Sequence, residues 1–145
     1  NVQFKISYPA AFHAQTLAEA VGEQPVTFAS LARGWPIDMW PQRHHLDYLG
    51  KDGGGGIGSG PGISVGAALG LSRMGRLPVG ILGDGDFAMG SSALWTAVHH
   101  KIPLLVVISL NGGWAGDPKK SKPGRELGFT RYDKMAEGLG CSAQP

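Results

Sequence analysis

The sequence predicts an α/β fold: an open, doubly wound parallel sheet with helices on both faces. Three observations predict it. Two short apolar runs, Pro78-Val79-Gly80-Ile81-Leu82 and Pro103 to Ser109 (PLLVVIS), each end in a glycine-containing turn, as buried strands do. Between them Ser91 to His100 has the spacing of a helix. Strand, helix and strand over about thirty residues form a βαβ unit, whose crossover makes the strands parallel. Third, Pro61 onward (PGISVGAALGLSRMG) reads as a helix rich in small residues, suited to close packing on a sheet.

The elements follow in order. Pro9 to Val21 (PAAFHAQTLAEAV) has helical spacing, with a proline near the first turn, where a missing N–H costs least, and Gly22 as its stop. Val26 to Ala29 is a short strand. Arg33 to Asp52 reads as a loop, because Trp35-Pro36 and Trp40-Pro41 force extended or turn backbone. Seven of the ten residues from Gly53 to Gly62 are glycine, and the small-residue helix follows. Pro78 to Leu82 is a buried strand that ends in Gly83-Asp84-Gly85. The next helix has Ser91 or Ser92 as its cap, and Pro103 to Ser109 is a second, stronger buried strand. Asn111 to Gly128 is a long loop carrying Lys119, Lys120, Lys122 and Arg125, and Thr130 to Leu139 is a final helix closed by Gly140.

Composition narrows the function classes. With 145 residues the chain is one domain, able to bury a core without staples. Its 24 glycines show no triplet period, which excludes collagen, and 42% hydrophobic residues exclude disorder. The single cysteine, Cys141, excludes a disulfide framework and a paired-cysteine zinc site, and fits a reducing compartment. A formal net charge of +2 argues against nucleic acid. The longest apolar stretch, Ile102 to Leu110, is too short to span a bilayer, and no signal peptide is visible. A soluble cytoplasmic domain is expected. Its few elements make a thin sheet that stops where another strand should begin, so residues 1–145 read as a single domain from a larger multidomain enzyme.

The chemistry lies at the strand ends. In a βαβ unit both carboxyl ends reach the same sheet edge, where open α/β sheets bind ligands. Asp84 and Asn111 stand just beyond those ends, so their side chains converge across 26 intervening residues. The Gly113 carbonyl adds a third oxygen, because glycines let the loop fold back. Three oxygens, one anionic, suit Mg²⁺, which shares its octahedron with phosphates and water. Gly83 and Gly85 free backbone N–H groups for an anion, and the helix near Ser91 points its positive end there. The bland reading of Gly-Asp-Gly is a plain strand-to-helix turn. The glycine cluster contains a formal G-x-G-x-x-G at Gly53, Gly55 and Gly58, but lacks the preceding strand and the later acid of a dinucleotide site. Ile57 is the one large apolar residue inside it, and bare backbone around one aliphatic group suits a flat ring.

Together, GGGGIGSGPGISVGAALG and LGDGDFAMGSSALWTAVHHKIPLLVVISLNGGW resemble the diphosphate-binding domain of thiamine-diphosphate-dependent enzymes, in the acetolactate synthase and benzoylformate decarboxylase group. That family carries G-D-G, a spacer of some two dozen residues, then N-N; here Asp86 to Ser109 supplies 24. The resemblance covers roughly Gly53 to Trp114. It implies that Asp84, Asn111 and the Gly113 carbonyl hold Mg²⁺, and that the backbone around Gly85 and Asp86 binds the diphosphate. It also implies that Ile57 is the wedge that bends the cofactor, and that the Gly55 carbonyl accepts from its 4′-amino group. Gly55, Gly56, Ile57, Gly58, Gly83, Asp84, Gly85, Asp86, Asn111, Gly113 and Trp114 are therefore the expected cofactor-binding residues. The implied activity is decarboxylation or carboligation of a 2-oxo acid or 2-hydroxyacyl substrate. An activating glutamate would come from the pyrimidine-binding domain of a partner subunit in a homodimer or homotetramer, so these residues alone are expected to be catalytically silent.

Two positions depart from the family pattern. Leu110 replaces the first asparagine of the pair, while the ligand position keeps Asn111. Asp86 stands where a serine is usual, which places a carboxylate near a diphosphate and should weaken cofactor affinity unless it turns away or caps the helix. These departures and the short chain are the evidence for a rival reading as an inactive relic that keeps the fold; a dinucleotide-linked oxidoreductase is the other rival. His44-His45 and His99-His100 read as surface or packing residues with diverging side chains, and Trp35, Trp40 and Trp95 as packing or interface residues. The basic loop from Asp117 to Arg125 reads as solvated, or as a lid bringing positive charge to an acidic substrate.

Overall fold

The computed structural model describes residues 9–51, 55–114, 123–128 and 130–144. The elements run α1 (Ala10–Val21), β1 (Val26–Ser30), a 3-10 turn (Ile37–Met39), α2 (Ser59–Leu71), β2 (Leu77–Gly83), α3 (Asp84–Gly90), α4 (Ala93–His99), β3 (Leu105–Ser109) and α5 (Tyr132–Gly138). α1 follows Pro9 and stops at Gly22, whose left-handed φ of 56° lets its N–H turn back to the Ala18 carbonyl. The sheet has the order β1-β2-β3 and is parallel throughout, with Val26 opposite Leu77 and Val79 opposite Leu105.

Alternation along the strands divides the core. Val79 and Ile81 join Phe28, Leu17 and Trp35 on one face, under α1. Leu82, Val106 and Ile108 face the other way and pack with Val65 of α2, Phe87 of α3, and Leu94 and Ala97 of α4. Each fully buried Val, Leu, Ile or Phe side chain among these contributes about 1.5–3 kcal/mol. Helices thus cover both faces, as the sequence predicts. Gly80 sets how closely α2 approaches, because a Cβ there would collide with Ser64 Oγ.

Four expectations need correction. β3 is half-buried along its whole length, not a stronger buried strand than β2; among the described residues β2 is its only strand partner. The segment 33–52 is more than loop: besides the 3-10 turn, Tyr48 bridges Phe28 in parallel, through Phe28 N–H to the Asp47 carbonyl at 2.9 Å and Leu49 N–H to the Phe28 carbonyl at 3.1 Å. The helix expected from Ser91 to His100 starts at Ala93, and Ser92 gives no side-chain cap, because α3 runs almost directly into it and leaves no extended residue to cap. The histidine pairs do not diverge. The His44 and His45 rings lie 4.1 Å apart, and those of His99 and His100 4.8 Å apart.

The amino end of the sheet is closed by a polar staple. The Arg76 guanidinium donates to Thr27 Oγ1 at 2.7 Å, to the Val26 carbonyl and to Asp47 Oδ1. Asp47 Oδ2 accepts from the Arg43 and His44 N–H groups at 2.7 and 2.9 Å. Burial pushes the Asp47 carboxyl up, but the two backbone donors and Arg76 outweigh it and hold the group below the usual carboxylate range.

Candidate functional site

At the opposite end, β2 passes directly into α3, and Asp84 is the first residue of that helix. The helix whose amino end lies beside Gly-Asp-Gly is therefore α3, not the one near Ser91, and Gly-Asp-Gly is not a free turn. Asp84 is buried at 2% exposure. Its Oδ1 accepts from Gly85 N–H at 2.9 Å; its Oδ2 accepts from Gly112 N–H at 2.6 Å and Asn111 N–H at 3.2 Å. Among the described residues no Lys, Arg or His forms an ion pair with it. The two strand ends thus meet through one carboxylate, as the βαβ geometry requires.

Asn111 Oδ1 accepts from Gly113 N–H at 2.9 Å, which folds the loop after β3 into a tight turn. That turn is held from outside: Trp114 N–H donates to the Arg125 carbonyl at 2.9 Å, and Leu127 N–H to the Gly112 carbonyl at 3.0 Å. Trp114 lies over Gly85, where a Cβ would sit 2.7 Å from the indole Cε3, so glycine at 85 is what lets the indole close down. Behind the helix, Tyr132 packs edge-on against Phe87. Burial raises its hydroxyl pKa, and the Asp84 charge adds to the shift.

The glycine loop approaches from the other side. Ile57 is 54% exposed. Gly58 has φ of 97° and precedes α2 as its cap residue. The Asp86 carboxylate accepts from Gly58 N–H at 2.6 Å and from Gly60 N–H at 3.3 Å. The Asp86 carboxylate thus caps the start of α2. Leu110, the other departure, is half-exposed and points to no buried role.

Several expected residues stand apart. Gly53 lies outside the described residues, as do Lys119, Lys120 and Lys122. Trp35 and Trp40 pack on Phe28, while Trp95 is exposed and stacks on His99. Cys141 packs against the second core, and burial pushes its thiol pKa up. Among the described residues no three His, Cys, Asp or Glu side chains gather into a metal cluster, so any ion at Asp84 would rely on neutral oxygens beside one carboxylate. Nor is any helix among them long and apolar enough to cross a membrane. Gly60 and Gly112, both donors to site carboxylates, carry no signal of their own in so glycine-rich a chain.

Comparison with known proteins supplies an independent line. Residues 31–144 match the family described as thiamine pyrophosphate enzyme, C-terminal TPP binding domain. The chain is similar to benzoylformate decarboxylase of Pseudomonas aeruginosa, 41% identical over 96 residues, which are 61% of this chain and 18% of that protein. It is also similar to 2-hydroxyacyl-CoA lyase 2 of Bos taurus, 32% identical over 105 residues, 68% of this chain and 16% of that one. Among solved structures, the thiamine diphosphate-dependent 4-hydroxybenzoylformate decarboxylase of Rhodococcus jostii RHA1 matches with a TM-score of 0.74 at 25% identity, over 97% of this chain and 28% of that chain. The chain spans only 16% to 18% of the length of these curated relatives.

Proposed function

The chain belongs to the thiamine pyrophosphate enzymes, as their C-terminal TPP binding domain, and on that premise we propose that it holds the diphosphate and a Mg²⁺ ion in an enzyme that makes or breaks a C–C bond beside a carbonyl. The observation that carries the reading is Asp84, a buried carboxylate at the carboxyl end of β2 whose described partners are all backbone N–H groups. A buried anion without a cation costs several kcal/mol. A divalent ion arriving with a diphosphate would offset that cost.

The donor set fits the metal. The Asp84 carboxylate, the Asn111 amide oxygen and the Gly113 carbonyl are three hard oxygens, and Mg²⁺ fills its remaining positions with phosphate and water. The N–H groups around Gly85 and Asp86 belong to the first turn of α3, where the backbone dipole favours an anion. Ile57 would supply the aliphatic surface for the cofactor's rings, and the Gly55 carbonyl an acceptor for its amino group. Bound thiamine diphosphate supplies the carbanion stabilisation that C–C cleavage next to a carbonyl requires.

The substrate class is a 2-oxo acid or a 2-hydroxyacyl compound. The two decarboxylases and the lyase to which the chain is similar support cleavage over the carboligation of an acetolactate synthase-like enzyme. The activating glutamate belongs to a pyrimidine-binding domain of a partner subunit, which makes the enzyme a homodimer or homotetramer. Residues 1–145 then form one domain of that larger enzyme.

Calorimetric titration of the full-length protein tests the reading. Thiamine diphosphate should bind with Mg²⁺ present and fail to bind after chelation, and NAD should give no heat. Cofactor affinity that is indifferent to the chelator removes the metal site. Binding of NAD in place of thiamine diphosphate removes the reading altogether.

A further inference from the structure

Asp86 does something that the diphosphate and metal assignments do not require. It belongs to α3, yet its carboxylate accepts two N–H groups of the glycine loop and first turn of α2, 28 and 26 residues earlier: Gly58 at 2.6 Å and Gly60 at 3.3 Å. The first turn of any helix leaves N–H groups without intrahelical partners, and the cap residue normally offers them a side-chain oxygen. Gly58, the cap residue of α2, has no side chain, and α2 has no side-chain cap of its own. The cap is supplied by the neighbouring helix instead.

The packing is built around that contact. A Cβ on Gly60 would collide with Asp86 Oδ2 and would lie 2.7 Å from Leu82 Cδ2. A Cβ on Gly58 would lie 3.0 Å from the Met89 Cβ, and one on Gly90 would strike the Gly58 carbonyl oxygen. Three glycines therefore bring the α2 start and α3 to backbone contact, with the carboxylate at the seam.

We propose that Asp86 is a positioning residue: its carboxylate ties the loop carrying Ile57 to the helix that begins with Asp84, and so fixes the aliphatic side of the cofactor site relative to its metal side. The role of Ile57 in this statement rests on the proposed function; the tie itself does not. Asp86 accordingly acts on the geometry of the bound cofactor and not on the diphosphate.

The test uses the full-length protein and the variants D86A, D86S and D86N. Hydrogen exchange of a peptide covering residues 55–62, measured without cofactor, reads the tie directly. Loss of two hydrogen bonds to a carboxylate should speed exchange there about tenfold or more in D86A. D86N keeps an acceptor at the same place and should retain most of the protection. D86S reaches less far and should behave like D86A; it also serves if D86A does not fold. Binding of inorganic pyrophosphate with Mg²⁺ reads the diphosphate side separately, and turnover per bound cofactor should fall in D86A and recover in D86N. Unchanged exchange in D86A overturns the proposal. So does a shift in pyrophosphate affinity without a change in exchange, which would place the carboxylate at the diphosphate. Absence of thiamine diphosphate binding by the unsubstituted protein, with exchange responding as expected, would sink the proposed function and leave the tie standing.

Discussion

The two ends of the sheet each bury an aspartate, and they treat its charge in opposite ways. At the amino end Asp47 meets the Arg76 guanidinium and two backbone N–H groups. At the carboxyl end Asp84 meets three backbone N–H groups and, among the described residues, no cation. Two exposed-or-buried groups differ as sharply. Trp35, in the loop after β1, is 9% exposed and packed on Phe28, whereas Ile57 in the glycine loop is 54% exposed. An acid with its counter-ion built into the chain is a staple. An acid whose described partners are all backbone N–H groups has room for a cation from outside, and the proposed function places one there.

The largest expected effect would break this comparison at the carboxyl end. Asp84→Asn keeps the shape and removes the one carboxylate of the proposed metal site. It should weaken Mg²⁺-dependent thiamine diphosphate binding on the order of a thousandfold, more than the 10–100-fold typical of a residue outside the coordination sphere. Calorimetry on the full-length protein gives the number, and affinity equal to the parent's would make Asp84 another structural acid. Next comes the staple. Arg76→Met leaves a buried carboxylate without its cation and should destabilise by roughly 3 kcal/mol. Urea midpoints measure that loss, while cofactor affinity per folded molecule should stay within error. A harmless Arg76→Met would mean that the amino-end pair is ornamental and the contrast empty.

What could be read in advance was local. The runs 78–82 and 103–109 and the helix 9–21 show themselves through apolar spacing and through Pro and Gly at their ends. The meeting of Asp84 with Asn111 follows from topology alone, once both strands are parallel. α3 was hidden because Asp84, Gly85, Asp86 and Gly90 are turn formers by local preference; burial of Phe87 and the fit of Gly90 under Gly58 make the segment helical. The half-burial of β3 was hidden for another reason, since PLLVVIS has the same composition at a sheet's edge as in its middle. Asp86 to Gly58 and Arg76 to Asp47 each join partners nearly thirty residues apart. In the first pair the partner is a backbone N–H, which leaves no mark in a sequence.

A smaller effect sharpens the comparison at Ile57. Truncating a buried core aliphatic residue costs about 2–5 kcal/mol. Ile57 is half-exposed, so Ile57→Ala should change stability by less than about 0.5 kcal/mol. Turnover per bound cofactor should nonetheless fall about tenfold, because small misplacements of reacting groups are costly. Thermal unfolding and single-turnover rates on cofactor-saturated enzyme separate the two. A stability loss of core size with normal turnover would move Ile57 to the same category as Trp35.

The smallest effect lies outside the working pH range and concerns Asp47 alone. Burial raises the pKa of its carboxyl, but the His44 and Arg43 N–H groups and Arg76 lower it further, so the folded value sits below the ordinary 3.8. The unfolded chain then takes up the proton first as pH falls. The stability this group contributes is complete above about pH 5 and declines as pH drops through 3.8 towards the folded value. Asp47→Asn has no charge to lose and should show no such decline at this position. Asp133, held at about 2 by its hydrogen bond from Arg131, adds to the acid limb of both proteins and cancels in their difference. Urea midpoints of the parent and of Asp47→Asn, taken at about pH 6, 4 and 3, should therefore converge as pH falls. A gap that stays constant across that range would show that the carboxylate's charge adds nothing to the staple. The difference between the two ends of the sheet would then rest on hydrogen bonding alone.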